Sequence, residues 1–354
     1  MAAPSARRPC ERERVPVCVV IPALDRAAML PRCLASVWSQ RPYLPEEVIV
    51  VDDGSQDDTA AVAARLGARV IRHARNLGLA AARNSALEAT ACEWVAFLDS
   101  DDEWLPAHLA HLWHLRDGHS LVGSSVLCCG ADGGADRFHG PVKRKPLVLD
   151  SPDPLIATYN VFTVSACMIR RELALALGGF RPVWGVEDFD LWVRALEQHS
   201  GICSPQVTVI YHVHDEQMSG QAQRMLRGHR EVGEGHRART GASRALLARW
   251  EGVAAWDTMR SALAAGQRRA ALVRGLAVLG GSQRILGLAL LLRSRFIGRR
   301  LSARVGRDGK PTVAVLVRDE RRRGAVLAAL GGRTVRDLSG IAIARALPAL
   351  ARRP

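Results

Sequence analysis

The sequence lacks paired cysteines, a long hydrophobic run and a hydrophobic leader, and each absence narrows the class of protein. None of its eight cysteines forms a CxxC pair, and several stand in apolar runs such as VCVVIP at 17–22. That pattern favours reduced thiols packed in a core over a zinc site. The longest uninterrupted apolar stretch near the C-terminus, 285–292, is far shorter than the roughly 20 residues of a membrane span. Residues 1–16 contain no signal-peptide core, so we expect a disordered segment at 1–14 and a cytoplasmic protein.

Positive charge is concentrated at one end of the chain. Residues 284–354 hold 17 Lys and Arg against four acids, so they carry +13 of the formal +14. This asymmetry points to an anionic partner, and the apolar and basic segment 285–301 suits the inner face of a plasma membrane. The alternatives are a solvated arginine-rich surface, or cover for an apolar face of the preceding domain. Nucleic acid is a poor candidate, because Phe296 is the only aromatic residue after Trp256.

Strand and helix patterns alternate along the first hundred residues. The predicted strands lie at 17–22, 47–53, 69–73 and 94–99, and the predicted helices at 29–38, 57–67 and 79–90. This alternation predicts an α/β fold with a mostly parallel sheet flanked by helices. Residues 117–160 are rich in Gly, Pro and Asp, and they show only weak strand patterns at 121–129 and 145–150.

Regular patterns return after residue 160. Residues 161–180 predict a strand and then a helix that ends at Gly178–Gly179. Residues 186–199 predict an amphipathic helix, and 207–214 a last strand. Together these patterns define one predicted domain over 15–220. A helical, Arg-rich region is predicted over 221–354, with a small strand–helix unit near 311–330.

Four polar residues follow the fourth predicted strand directly. WVAFLDSDDEW, residues 94–104, runs from apolar positions into Asp99, Ser100, Asp101 and Asp102. The carboxyl ends of parallel strands open into ligand crevices, and three neighbouring carboxylates there need a compensating positive charge. Mg²⁺ or Mn²⁺, which prefer hard oxygen ligands, would supply it. The alternative is an acidic N-cap for a helix beginning at Pro106.

The first and second predicted strands also end in carboxylates. Asp25 follows the first in PALDR, and Asp52 and Asp53 end the second in VDDGS. Three parallel strands that place acids at one edge argue for a site. Asp53 is placed to accept a hydrogen bond from a nucleobase N–H. The loop and helix of NLGLAAARN (76–84), with Arg83, suit a phosphate or a base edge.

Five sequence blocks, in this order and spacing, strongly resemble the family 2 glycosyltransferases, which are inverting enzymes of the GT-A fold that use nucleotide-sugar donors. The blocks are VVIPALDRAAMLPRCLASVWSQ, EVIVVDDGSQDDT, NLGLAAARNSAL, WVAFLDSDDEW and GGFRPVWGVEDFDLWVRAL. The resemblance covers roughly residues 16–220. It implies a nucleotide-diphosphate sugar as donor, most often a UDP-sugar, a hydroxyl of a glycan or lipid-linked acceptor, and Mg²⁺ or Mn²⁺ as cofactor.

The resemblance also implies roles for individual residues. Asp188 matches the catalytic base, and Asp101 the metal ligand, with Asp99 or His214 as further ligands. Asp99 also faces the ribose, and Asp102 would substitute or assist. The implied acceptor region contains Gly179, Trp184 and Glu187. The implied nucleotide-sugar site consists of Pro22, Ala23, Asp25, Asp53, Arg83, Asp99, Ser100 and Asp101.

Each assignment has an alternative. Asp188 stands in the first turn of its predicted helix, where the macrodipole favours a carboxylate, so a simple capping role is the alternative for it. His212 and His214 suit a strand core as well as a ligand set. The family usually has an aromatic–Asn pair where this chain has Leu24–Asp25. For the whole chain, the alternatives are a nucleotidyltransferase, whose Gly-rich basic loop PALDRAAML lacks, and a non-catalytic interaction protein.

Overall fold

A computed structural model describes residues 12–129, 135–141, 145–153, 155, 160–213, 222–244 and 246. The first strand begins at Glu13, inside the segment predicted to be disordered. The basic tail 284–354, the predicted unit 311–330 and His214 lie outside the described residues.

The described residues form ten strands, seven α-helices and a short 3-10 helix at Val164–Ala166. The strands are β1 (Glu13–Ala23), β2 (Tyr43–Asp52), β3 (Arg69–Arg72), β4 (Trp94–Phe97), β5 (Glu103–Trp104), β6 (Leu121–Cys129), β7 (Ala135–His139), β8 (Leu147–Leu149), β9 (Cys167–Arg170) and β10 (Gly201–His212). The helices are α1 (Leu30–Trp38), α2 (Thr59–Arg65), α3 (Leu79–Ala89), α4 (His108–Leu115), α5 (Arg171–Ala176), α6 (Glu187–Leu196) and α7 (Ala222–Thr240).

The first four strands form the parallel part of a 10-stranded sheet with the main order β3–β2–β1–β4–β9–β6–β10–β5. β1 pairs in parallel with β2 and β4, and β2 with β3. Alternate residues of β1 enter separate cores: Cys18 and Val20 on one face, and Val17, Val19 and Ile21 on the other. A strand covered on both faces needs a continuous apolar run, which is why the sequence predicts this half correctly.

The second half of the sheet is mixed in direction. β9 is antiparallel to both β4 and β6, whereas β6 and β10 are parallel to each other. β5 closes this edge as an antiparallel partner of β10. β10 begins at Gly201, well before the predicted start at 207, because residues 201–203 also pair with β8.

β6 lies inside the sheet, although its sequence pattern is weak. Its centre is small or polar, yet Gly123, Ser124 and Ser125 are all buried. An added Cβ at Gly123 would lie 2.6 Å from Cδ1 of Phe162, so the aromatic ring takes the place of a side chain there. Ser124 Oγ and Thr208 Oγ1 are 2.6 Å apart. Hydrogen bonding and a neighbouring ring therefore replace the apolar side chains that a strand prediction relies on.

α6 is buried all round rather than on one stripe. The predicted apolar residues Phe189, Trp192, Val193 and Leu196 are buried, but so are Asp190 and Arg194 on the other side. Asp190 Oδ2 accepts a hydrogen bond from Arg194 Nε at 2.8 Å, and Asp190 also pairs with Arg181. The helix is amphipathic as predicted, but its polar side is also packed inside the protein, where the charges of Asp190 and Arg194 neutralise each other.

α7 packs across the segment that precedes α6. Gly228 of α7 lies against Val186, where an added Cβ would be 2.7 Å from Val186 Cγ2, and Val232 is buried. Within the described part of the chain, no helix combines the length and apolar character that a membrane span needs. The seven cysteines in that part are buried, which agrees with their predicted packing in the core: Cys18, Cys33, Cys92, Cys128, Cys129, Cys167 and Cys203.

Candidate functional site

The loops after β1, β2 and β4 lie side by side at one edge of the sheet, because these strands are parallel neighbours. Asp25, Asp53 and Asp99 stand on these loops, so the predicted convergence of carboxylates is confirmed. The first loop is clamped to the second: the Asp25 amide donates to Ser55 Oγ at 2.9 Å, and Asp25 Oδ1 accepts from the Gln56 amide at 2.8 Å.

Asp25 adopts a left-handed backbone conformation with φ +53°, which Asp tolerates better than most residues. Its side chain is exposed, whereas Pro22 and Ala23 are buried within β1. Pro22 and Ala23 therefore expose little surface, and the Ala23 carbonyl already accepts from the Asp53 amide at 2.9 Å.

Asp52 and Asp53, the two acids of VDDGS, make different contacts. Asp52 is fully buried; its Oδ1 accepts from the Ser55 amide at 2.9 Å, and its Oδ2 lies 3.2 Å from Arg72 Nε. Asp53 bonds the next loop, accepting from the amides of Leu77 and Gly78 at 2.9 and 2.8 Å. Asp53 thus positions the loop that leads into α3. Its predicted contact with a nucleobase stays a prediction.

Arg83 on α3 is the buried cation of the site, with 1% of its side chain exposed. Its Nη2 donates to Asp99 Oδ1 at 2.8 Å, and its Nη1 donates to Glu187 Oε1 at 2.6 Å. Burial works against its charge, but the carboxylates of Asp99, Glu187 and Asp188 raise the pKa of Arg83 above its usual value. Arg83 therefore joins the end of β4 to the start of α6, and its predicted contact with a phosphate or base edge stays a prediction.

The acids of the loop at residues 99–102, DSDD, differ in their exposure. Asp102 has no exposed surface: its Oδ2 accepts from Ser165 Oγ at 2.5 Å and its Oδ1 from the His212 amide at 3.0 Å. Burial first, and then the charges of Asp101 and Asp99, raise the pKa of Asp102 well above its usual range. Asp102 therefore fastens the loop to the 3-10 helix and β10, and is enclosed away from any ligand.

Asp99 and Asp101 are partly exposed at the mouth of this loop, whereas Ser100 between them is buried. Burial and the neighbouring Asp101 raise the pKa of Asp99, and the Arg83 guanidinium opposes that rise. The acidic-cap alternative for this loop is wrong, because β5 intervenes and α4 begins at His108 after Ala107, without a side-chain cap.

No group of three or more His, Cys, Asp or Glu side chains in the described part of the chain is arranged to hold a metal ion. His212 Nε2 lies 2.8 Å from Glu103 Oε1, so this histidine is engaged on the strand, as the core alternative predicts. Arg32 holds the loop from the other side, since its Nη2 donates to the Asp101 carbonyl at 2.7 Å. The predicted ligand His214 lies outside the described residues.

Asp188 stands in the first turn of α6, and the N-cap residue of this helix is Val186. Its Oδ1 accepts from the neighbouring Phe189 amide at 2.6 Å. Burial and the charge of Glu187 raise the pKa of Asp188 to about 7, against the lowering effect of Arg83 and the Phe189 amide. A carboxyl group with this pKa exchanges protons near neutrality, as a general base must.

The predicted acceptor residues have contacts that the sequence does not show. Glu187 pairs with Arg83, and Trp184 lies beneath Arg224 of α7, with Arg224 Cζ 5.2 Å from the ring centroid. Gly179 sits against Asn84, whose amide exchanges two 2.8 Å hydrogen bonds with the Phe180 backbone. Asn84 and Arg224 were missed because their partners are distant in sequence. The acceptor role of this region stays a prediction.

Replacing Gly179 with alanine should destabilise the protein more than replacing its neighbour Gly178. Both glycines have left-handed φ values, +68° and +78°, so alanine at either costs about 1–2 kcal/mol of backbone strain. A Cβ at Gly179 would also lie 2.4 Å from Asn84 Oδ1, whereas one at Gly178 meets nothing within 4 Å. We expect urea unfolding to show roughly 1–3 kcal/mol of extra loss for Gly179→Ala. Equal losses would contradict the contact with Asn84.

Sequence comparisons show which known proteins this chain resembles. Residues 18–174 match the sequence model of the family described as Glycosyl transferase family 2. An uncharacterised protein of Mycobacterium tuberculosis is 32% identical over 53% of this chain and 63% of its own length. Succinoglycan biosynthesis protein ExoU of Rhizobium meliloti is 34% identical over 51% of this chain and 56% of its own length. The chain therefore spans a little over half the length of these relatives.

The fold has a counterpart among solved structures. Mannosyltransferase PcManGT from Pyrobaculum calidifontis, in complex with GDP-Man and Mn²⁺, matches with a TM-score of 0.51 at 20% identity, over 80% of this chain and 87% of that chain. The predicted GT-A type of α/β fold is thereby confirmed for the described residues. Over residues 18–174, the chain is therefore similar to family 2 glycosyltransferases.

Proposed function

We propose that this chain is an inverting glycosyltransferase that moves a sugar from a nucleotide diphosphate to a hydroxyl acceptor. The observation that carries the proposal is Asp188, whose pKa burial and Glu187 raise to about 7. Its neighbour Glu187 pairs with Arg83, which also pairs with Asp99 at the edge of the sheet. A base of this strength at the edge where open α/β sheets bind their ligands suits the activation of a hydroxyl group. The family match over residues 18–174 supports the same reaction class.

The proposed reaction is a single displacement. Asp188 accepts the proton of the acceptor hydroxyl while that oxygen forms a bond to the anomeric carbon. The bond between the anomeric carbon and the diphosphate oxygen breaks, and its electron pair leaves with the nucleoside diphosphate. The sugar gains oxocarbenium character as in glycoside hydrolysis. Attack on the face opposite the leaving group inverts the configuration, so no sugar bound covalently to the enzyme is required.

The proposed donor site lies along the loops after β1, β2 and β4. Asp53 would accept from the nucleobase, with Asp25 and the backbone of Pro22–Ala23 lining the same side. Asp99, fixed by Arg83, would face the ribose. Since Arg83 also holds Glu187, the donor side and Asp188 keep a fixed spacing.

The acids at the end of β4 fit a divalent cation. Asp101 and the second oxygen of Asp99 are carboxylate donors of the kind that Mg²⁺ and Mn²⁺ prefer, whereas Asp102 is enclosed. We assign Mg²⁺ or Mn²⁺ to Asp101, with Asp99 or His214 as further ligands. When bound, the cation would offset the charge that develops on the departing diphosphate. The PcManGT complex, which contains Mn²⁺, supports this assignment.

The acceptor is proposed to be a glycan or a lipid-linked glycan in surface polysaccharide or glycolipid synthesis, with the enzyme in the cytoplasm and peripheral on the inner membrane face. The similarity to the succinoglycan biosynthesis protein of Rhizobium supports a role in polysaccharide synthesis. The basic tail 284–354 supports the location at a membrane. Flotation should recover the full chain, but not a chain ending at residue 283, with anionic vesicles. Equal recovery of both chains would count against the tail.

A donor panel tests the reaction itself. The full chain is incubated with UDP-, dTDP- and GDP-sugars and Mg²⁺ or Mn²⁺, and the release of nucleoside diphosphate is measured, with or without glycan acceptors. We expect release from one donor class, falling at least about tenfold in excess EDTA, since metal assistance contributes several kcal/mol. Pyrophosphate release would indicate a nucleotidyltransferase, and no release from any donor a non-catalytic protein. Full activity in EDTA would contradict the metal assignment.

A further inference from the structure

His73 is a nearly buried side chain that the proposed reaction does not use. It follows β3, and 9% of its side chain is exposed. Its Nδ1 lies 2.6 Å from Asp53 Oδ1, and its Nε2 lies 2.9 Å from Ser85 Oγ on α3. Because an ionised carboxylate only accepts hydrogen bonds, Nδ1 carries the proton and donates to Asp53. Ser85 holds the other side of the ring, so the imidazole is fixed in its plane.

The two carboxylate oxygens of Asp53 accept different numbers of hydrogen bonds. A carboxylate has about four acceptor positions, two on each oxygen. Oδ1 accepts from His73 Nδ1 and from the Leu77 amide, which fills both of its positions. Oδ2 accepts from the Gly78 amide alone. Among the donors in the described part of the chain, three reach Asp53, and one position remains on Oδ2.

We propose that His73 determines which nucleobase Asp53 accepts, by occupying the Oδ1 position that a second base N–H would need. This inference rests on the proposed nucleotide-sugar site. With one position open, Asp53 matches a base with a single ring N–H between two carbonyl groups, as in uracil or thymine. Guanine presents two adjacent donors, N1–H and the N2 amino group, which pair with both oxygens of a carboxylate. At this site one guanine donor would stay unpaired on burial, and an unpaired buried donor is costly.

The loop beside Asp53 also provides an apolar surface for a base. Leu77, whose amide donates to Asp53, is one of the few large apolar side chains that are well exposed in the described part of the chain, at 51%. An exposed leucine next to a nearly buried acceptor suits a flat ring that stacks on one side and donates one hydrogen bond at its edge. The donor class that follows is a UDP- or dTDP-sugar rather than a GDP-sugar.

Calorimetric titration of the full chain with UDP, GDP and IDP in the presence of Mg²⁺ tests the inference. IDP is informative because hypoxanthine keeps the ring N–H of guanine but lacks its amino group. We expect wild type to bind UDP at least about tenfold more tightly than GDP, and IDP more tightly than GDP, the cost of one unpaired donor being of that order. GDP binding that equals or exceeds IDP or UDP binding would overturn the proposal without any variant.

Three substitutions and a control test whether His73 selects the nucleobase or only supports the structure. His73→Leu removes the N–H donor and opens Oδ1, so the UDP-to-GDP affinity ratio should fall at least about fivefold, whereas His73→Gln, which keeps a donor, should retain most of it. His114→Leu, an exposed histidine on α4, should leave the ratio unchanged. If His73→Leu weakens both nucleotides equally, or fails to fold while Ser85→Ala leaves the ratio at its wild-type value, His73 has only a structural role. Wild type that binds none of the three nucleotides would overturn the proposed function as well.

Discussion

Asp188→Asn should lower the rate of sugar transfer by about 10²–10⁴-fold and leave the affinity for the nucleoside diphosphate nearly unchanged, the size expected for loss of a general base. Asparagine has the shape of the carboxylate but cannot take the proton of the acceptor hydroxyl. Its side-chain oxygen can still accept from the Phe189 amide, which Asp188 Oδ1 does at 2.6 Å in the wild type. Steady-state rates of diphosphate release with acceptor, combined with calorimetric nucleotide binding, measure both effects.

The pH profile gives an independent check of the same residue. A base must be ionised to work, and burial with the charge of Glu187 raises the pKa of Asp188 to about 7. The wild-type kcat should therefore rise with pH and level off above about 7, with roughly a tenfold fall for each unit below that value. The residual transfer rate of Asp188→Asn should not show this rise with pH.

Asp188→Asn should fold as well as the wild type, so a loss of stability should not explain its loss of activity. The pKa of Asp188 is higher in the folded protein than in the unfolded chain. Its carboxyl group therefore stabilises the fold at a pH below the unfolded pKa. That stabilisation is lost as the pH rises through the folded pKa. Asparagine carries no charge to bury, so the variant should be at least as stable as wild type at pH 8. Asp117→Asn, at an exposed carboxylate, is the matched control and should transfer normally. Transfer by Asp188→Asn at the wild-type rate would remove Asp188 from the catalytic role.

Arg83→Met should lower the free energy of unfolding by about 3–5 kcal/mol, because it removes one partner from a buried ion pair. Arg83 forms ion pairs with both Asp99 and Glu187, and only 1% of the Arg83 side chain and 9% of the Glu187 side chain are exposed. Methionine fills a similar volume but leaves two carboxylates facing each other beside Asp188. Urea unfolding followed by tryptophan fluorescence measures the loss.

The loss for Arg83→Met should shrink as the pH falls. Burial already raises the pKa of Asp99, and the Arg83 charge opposes that rise, so the pKa should climb further in the variant. The folded variant then binds more protons than the unfolded chain, and its stability falls with increasing pH. The difference in free energy of unfolding between Arg83→Met and wild type should therefore be smaller at pH 5 than at pH 8. A constant difference over this range would show that lost packing, not uncompensated charge, causes the effect.

Arg69→Met is the control for charge removal at the surface. Arg69 Nη1 lies 2.8 Å from Glu47 Oε1, a distance like that in the Arg83 pairs, but half of the Arg69 side chain is exposed. Such pairs contribute about 1 kcal/mol or less. Similar losses for Arg69→Met and Arg83→Met would contradict the importance of burial at the site.

The first half of the fold was predictable because one physical cause produces both its sequence pattern and its structure. β4 and the second halves of β1 and β2, at 17–23 and 48–51, are covered on both faces, so these residues are continuously apolar. Polar residues begin where each strand reaches the edge of the sheet. β6 has the opposite character. Its buried Gly123 and Ser124 depend on Phe162 and Thr208, and no local pattern reports these partners.

The sequence by itself determined the α/β class, the family resemblance, the strand ends that carry Asp25, Asp53 and Asp99, and the helix that carries Asp188. Apolar patterns and the acids beside them are local properties of the chain. The tertiary structure alone decided what each acid does. Asp102 is enclosed by Ser165 and β10, and Asp53 shares its oxygens with His73 and the 77–78 amides. Arg83 binds Glu187, 104 positions away in the chain. Charge, exposure and proton affinity depend on such distant neighbours, so they become defined only when the chain is folded.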